Sequence, residues 1–202
     1  MENYVFNIGF NKSGSSSLSA ALNMLGIPTL QHEYKDYQNN ITLISSIIEE
    51  NKKNNRKLFY GLDETYCGFS DFRGEEYFRE LYAQYPDSKF ILTIRPLEDW
   101  LKSVERWQSK KRLFRGIANA TKNNNIEKAR YYRDQLNAPF NKKHKIKYYR
   151  NYKKQIRDFF KDKPDQFLEL RICEGEGWPE LCSFLNLDQP SVDFPRRNVN
   201  IF

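Results

Sequence analysis

The 202-residue chain is poor in cysteine, glycine, proline and long apolar runs, and each shortage excludes something. Three cysteines, Cys67, Cys173 and Cys182, are too few and too scattered for a disulfide framework or a zinc site, and read as reduced thiols. Nine glycines and eight prolines exclude collagen-like or linker character. The apolar runs are only a few residues long, as in Phe90-Ile91-Leu92, and none is long enough to span a bilayer. The opening Met1-Glu2-Asn3-Tyr4 has neither a basic n-region nor an apolar h-region. The expectation is a cytoplasmic chain without a membrane anchor, in which the sequons at Asn11, Asn40 and Asn119 carry no meaning.

What is present suffices for a core. Hydrophobic residues make up 39% and aromatics 15%, which supports one domain over residues 1–202 despite a mean hydropathy of −0.82. The formal net charge is +7, unevenly spread. Residues 102–163 hold 20 Lys and Arg against 5 Asp and Glu, a local +15, and the remainder sums to −8. A basic half of this kind attracts nucleotides, nucleic acid or an acidic glycan, unless it only coats solvated helix faces. Its tyrosines (Tyr131, Tyr132, Tyr148, Tyr149, Tyr152) suit base stacking or, at helical spacing, a core.

Hydrophobic periodicity divides the chain into alternating elements. Tyr4–Phe10 reads as a buried strand, followed by a turn and a helix from the serines to Gly26. Strands are expected at Thr29–His32, Leu58–Leu62, Lys89–Ile94 and Phe167–Ile172. Helices are expected at Ile41–Asn51, Glu75–Tyr85, Leu97–Trp107 and Pro179–Leu185. The basic stretch from about 109 to 163 reads as two or three helices broken around Asn137-Ala138-Pro139. Strand–helix alternation along the whole length predicts an α/β fold with a mostly parallel sheet.

A strand, a glycine-containing turn and a helix opening with Ser15, Ser16 and Ser17 form an anion site, because free N–H groups and the helix dipole meet there. Gly9 and Gly14 have the spacing of a triphosphate loop, but Ser15 stands where that loop needs lysine. The nearest lysine is Lys12, two residues ahead of the glycine. The strand at 89–94 ends in Arg95 rather than in an aspartate able to hold Mg²⁺, so the pattern calls for no metal and for an anion held directly.

Three motifs, in order along the chain, then carry a resemblance. Gly9-Phe10-Asn11-Lys12-Ser13-Gly14-Ser15-Ser16-Ser17-Leu18 resembles the 5′-phosphosulfate loop of the sulfotransferases that use PAPS (3′-phosphoadenosine 5′-phosphosulfate), with Asn11 where that family usually has proline. Ile94-Arg95-Pro96 through Ser103 resembles the family's 3′-phosphate motif, an arginine at a strand end and a serine eight residues later. Gly177-Trp178-Pro179-Glu180-Leu181 with Phe194-Pro195-Arg196 resembles the end of its small branch. The resemblance implies a three-layer P-loop NTPase-like fold, one sulfotransferase domain with a basic helical insertion at about 109–163, and PAPS as sulfuryl donor to a small-molecule or carbohydrate acceptor through a hydroxyl or amine.

Roles follow from that resemblance. Lys12 would stabilise the leaving phosphate oxygen, with Ser13, Gly14, Ser15, Ser16 and Ser17 around the phosphosulfate. Arg95 and Ser103 would grip the 3′-phosphate, unless Arg95 merely pairs with Glu98 or Asp99. Arg196 and Arg197 would reach the nucleotide from the C-terminal segment. The acceptor's proton needs a base, which the resemblance does not choose; Asp63, with Glu64 beside it, and His32 each follow an expected strand, and Asp63 is placed ahead of His32. His144 falls in the basic stretch and is expected in solvent. Two other readings compete: a P-loop nucleotide or small-molecule kinase, and a nucleic-acid-binding module using residues 102–163.

Overall fold

The computed structural model describes residues 4–138 and 140–197. Five strands form one parallel sheet in the order β2-β5-β1-β6-β7: β1 (Val5–Asn7), β2 (Thr29–Gln31), β5 (Gly68–Ser70), β6 (Lys89–Thr93) and β7 (Phe167–Leu170). A separate antiparallel pair joins β3 (Glu33–Lys35) to β4 (Ile41–Leu43). The helices among the described residues are α1 (Ser15–Met24), α2 (Ile44–Lys53), α3 (Gly74–Gln84), α4 (Leu97–Trp107), α5 (Lys110–Lys122), α6 (Ile126–Asn137), α7 (Lys142–Phe160) and α8 (Trp178–Leu185). None of them is long and apolar enough to cross a membrane.

Alternation along the strands gives the sheet two apolar faces, which is the expected three-layer α/β arrangement. Val5, Ile91 and Leu170 pack against Leu18, Ala21 and Leu22 of α1 and Leu181 of α8. Phe6, Ile8, Phe69, Phe90 and Leu92 point the other way, against α2, α3, α4 and α7. That second face is rich in aromatics, and the rings of Phe59 and Phe69 stack with centroids 3.8 Å apart. Tyr149, Tyr152, Ile156 and Phe160 form the buried stripe of α7, so Tyr149 and Tyr152 are core residues and not a stacking platform.

Three expectations need correction. Leu58–Leu62 is not a strand but a run of turns. Leu58, Phe59 and Leu62 are nevertheless buried, which accounts for the apolar pattern, while Gly61 takes a left-handed φ of 83° and breaks extension. The missing strand is Gly68-Phe69-Ser70, where a Cβ on Gly68 would lie 2.1 Å from Thr29 Oγ1, so the residue that reads as a breaker is what lets β5 lie beside β2. Ile41–Leu43 is extended and α2 starts only at Ile44. Three helices, α5 to α7, occupy the basic stretch, and Pro139 lies outside the described residues. His144 is exposed, as expected.

Gly9 makes an equally close approach: a Cβ there would lie 2.2 Å from Thr93 Oγ1 and 2.7 and 2.8 Å from the Thr93 backbone O and N. Gly9→Ala is therefore expected to cost about 1–3 kcal/mol through overpacking against main chain that cannot yield. Urea unfolding would register this as a lower midpoint with unchanged slope, and an unchanged midpoint would contradict the packing.

Candidate functional site

The site lies at the carboxyl ends of the central strands, where β1 runs through residues 8–14 into α1. A buried polar network lies under this loop. Asn7 Nδ2 donates to Ser70 Oγ (2.9 Å), and Asn7 Oδ1 accepts from the Gly9 N–H (3.0 Å) and from Thr93 Oγ1 (3.2 Å). Ser13 Oγ lies 2.7 Å from Thr93 Oγ1 and donates to the Phe10 carbonyl.

The loop's carbonyl oxygens are engaged almost throughout. Ile8 O accepts from the Tyr152 hydroxyl (2.5 Å), Asn11 O from Trp100 Nε1 (3.0 Å) and Lys12 O from Arg95 Nη1 (3.3 Å). Ser13 O accepts from the Cys173 thiol at 3.8 Å. Carbonyl oxygens that would repel an anion are thereby held by other donors. Gly14 enters α1 at φ 113° and, as the N-cap residue, makes no side-chain cap to the helix.

Above the loop is a cavity of about 830 Å³. Lys12, Gly14, Ser15, Ser16 and Ser17 form its floor, and Arg95 and Ser103 share a wall. Arg196 and Arg197 close the side nearest α1, where the Arg197 N–H donates to Ser17 Oγ (2.9 Å) and Arg196 Nη1 to Ile172 O (2.8 Å). Seven cationic side chains line the cavity (Lys12, Arg95, Lys102, Arg106, Arg112, Arg196, Arg197) against two carboxylates, Asp71 and Asp99. Arg95 Nε is buried with no hydrogen-bond partner. Glu98 and Asp99, its alternative partners, pair instead with Lys142 and Lys102.

A family model for the sulfotransferase domain matches residues 4–200, nearly the whole chain. The chain belongs to the sulfotransferase domain family. It is therefore a transferase that moves a sulfuryl group, and a small-molecule acceptor is implied in general terms. No curated protein matches it.

In this sulfotransferase the cavity unites most of the residues singled out from the sequence: Lys12, Gly14, Ser15, Ser16, Ser17, Arg95, Ser103, Arg196 and Arg197. Four others lie elsewhere. Ser13 is wholly buried beneath the loop, with its hydroxyl turned to Phe10 and Thr93. Asp63 follows no strand. Its Oδ2 accepts from the Tyr85 hydroxyl (3.0 Å) and its carbonyl from the Tyr4 hydroxyl (3.0 Å), at the amino end of the sheet, away from the loop. Its neighbour Glu64 is not in the cavity wall either. His32 follows β2 but lies outside the cavity wall, edge-on to Tyr131 with ring centroids 5.6 Å apart.

Sequence reasoning missed Asp71, Lys102, Arg106, Trp107 and Arg112, all of which line the cavity. The signal for Asp71 was available: it follows Ser70 at the carboxyl end of β5, hidden because that strand was not recognised. Burial lowers the Lys12 ammonium below the ordinary lysine range; Arg112 and Arg95 push the same way, and Asp71 opposes them. Burial raises the Asp71 carboxyl, against the pull of His32 and Lys12.

On α3 beside Asp71, burial pushes the Glu75 carboxyl up from 4.5 to about 7, with Glu76 and Asp71 adding to the rise. Glu75 thus binds its proton more tightly folded than unfolded. The stability it contributes is fully present below about 4.5 and is lost as pH rises through about 7. Glu75→Gln is expected to flatten that decline and to raise stability at alkaline pH by on the order of 1 kcal/mol. Urea midpoints taken at acid and alkaline pH check this, and a variant with the parent's pH dependence would contradict it.

Proposed function

We propose that the enzyme transfers the sulfuryl group of PAPS to a hydroxyl or amine of a small acceptor. The observation that carries this reading is the buried, unpartnered Arg95 Nε in a cavity whose loop lysine precedes the glycine. A buried guanidinium N–H without an acceptor is costly, and a phosphate on that wall would satisfy it. The volume lies within the ordinary range for ligand sites, and the cation excess suits a donor bearing two phosphates and a sulfate.

PAPS, when bound, supplies an activated sulfuryl group on a phosphate leaving group. The chain's own part is positioning and charge. The amides opening α1 and the hydroxyls of Ser15, Ser16 and Ser17 hold the phosphosulfate, and Arg95 and Ser103 hold the 3′-phosphate. Lys12 stabilises the charge that develops on the departing phosphate oxygen, and Arg196 and Arg197 cover the nucleotide. The reading treats residues 1–202 as one sulfotransferase domain with its basic helical segment at about 109–163, working in the cytoplasm. A kinase reading is disfavoured because Ser15 occupies the position where a triphosphate loop needs lysine.

Calorimetry with 3′,5′-ADP is expected to show binding without magnesium, and Arg95→Ala to weaken it about 10- to 100-fold. Lys12→Ala is expected to lower transfer from labelled PAPS at least about 100-fold. Saturation by magnesium ATP in place of 3′,5′-ADP, or full turnover by both variants, would refute this function.

A further inference from the structure

Among the described residues, eight other than glycine have positive φ. Four are asparagines (Asn39, Asn55, Asn124 and Asn186), a residue type that tolerates the left-handed region in turns. The others are Lys12 (φ 67°), His32 (62°), Asp71 (56°) and Arg73 (69°). These four follow β1, β2 and β5, which are neighbours in the sheet, and so gather at one end of three adjacent strands. Strained backbone is thus concentrated beside the loop, where the fold holds side chains in postures that local preference would not select.

Asp71 shares the cavity wall with Lys12. His32 supports it from behind: the His32 N–H donates to the carbonyl of Ser70, the residue before Asp71 (3.1 Å). The His32 ring meets Tyr131, and the Tyr131 ring lies 6.1 Å from that of Trp107 in the cavity wall. One carboxylate, Asp71, therefore lines the same cavity as the loop lysine and the Trp107 ring.

Resting on the donor reading above, we propose that Asp71 takes the acceptor's proton and that the acceptor is an uncharged or cationic hydroxyl or amine compound. The acceptor O–H or N–H gives its proton to Asp71 Oδ while its oxygen or nitrogen bonds to the donor sulfur. The bond from sulfur to the 5′-phosphate oxygen breaks, and its electron pair stays on that phosphate beside Lys12. The products are the sulfated acceptor, 3′,5′-ADP and a protonated Asp71 that returns its proton to water.

The raised proton affinity of Asp71 suits a base. Its surroundings set the acceptor class. Glu75 on α3 lies close enough for Asp71 to raise its proton affinity further, so an anionic acceptor here would meet like charge in a poorly solvated site. The ring of Trp107 in the cavity wall, backed by Tyr131, suits a neutral or cationic body. Of the other cations, Arg95, Arg196 and Arg197 are assigned to the donor's phosphates, Lys102 pairs with Asp99, and Arg112 lies near Lys12, whose charge it opposes.

The test uses the full chain, labelled PAPS and two matched acceptor sets: tyramine, cresol and hydroxyphenylacetate; aminobutanol, butanol and hydroxybutyrate. Label is expected to reach cationic or neutral members at least about tenfold faster than the anionic ones. On the best acceptor, Asp71→Asn is expected to lower turnover about 100-fold or more while the Kd for 3′,5′-ADP stays within about threefold. Turnover that survives Asp71→Asn, preference for an anionic member, or no transfer to any cationic or neutral member overturns the proposal. An Asp71→Asn chain that no longer binds 3′,5′-ADP gives Asp71 a structural part and overturns it too. If the unsubstituted chain does not bind 3′,5′-ADP, the donor reading falls, and this inference with it.

Discussion

The wholly buried Asn7 side chain joins three strands beneath the anion loop. Its amide reaches Ser70 on β5, while its carbonyl oxygen holds Thr93 of β6 and the Gly9 N–H. A buried polar group in this position is favourable only when fully partnered, because each orphaned atom would incur its whole desolvation penalty. Satisfied as it is, it fixes the strand ends relative to one another. The loop, the strand-end arginine and Asp71 inherit that fixed spacing. Catalysis by positioned charge needs this, since most of its advantage comes from groups already in place.

Much of this was legible in the sequence. β6 is a near-continuous apolar run, α1 has clean helical spacing after the serines, and Lys12, singled out ahead of the glycine, lines the cavity. The sequence was misleading where burial and hydrogen-bonded extension part company. Leu58, Phe59 and Leu62 fill the aromatic face from consecutive turns, so apolar composition there marks core and not strand. Gly68-Phe69-Ser70 is a central strand with little intrinsic β preference, formed because its neighbours supply the hydrogen bonds and only glycine fits against Thr29. One misplaced strand also moved attention along the chain: Asp63 was placed after a strand that does not exist, and Asp71, which does follow one, was not considered.

The basic half resolves into separate roles once folded. Of the 20 Lys and Arg between 102 and 163, Lys102, Arg106 and Arg112 line the cavity. Arg150, Lys153, Lys154 and Arg157 border a second hollow, on the far side of Arg95. On the same helix Tyr152, Ile156 and Phe160 face the core, Tyr149 is buried but also borders that hollow, and Tyr148 is exposed. Helical periodicity thus puts a buried apolar stripe and a basic surface on one element, which a count of either along the chain could not reveal.

The cavity also draws on both ends of the described chain. Arg197 bonds to Ser17 across 180 positions, and Arg196 grips the carbonyl of Ile172. Every strand of the main sheet is complete by Leu170, so a nascent polypeptide can assemble its architecture before these last two guanidinium groups leave the ribosome. The full charge of the cavity is in this respect a late acquisition of synthesis: a polypeptide halted short of Arg196 would own the scaffold yet lack two of the seven positive charges that line it.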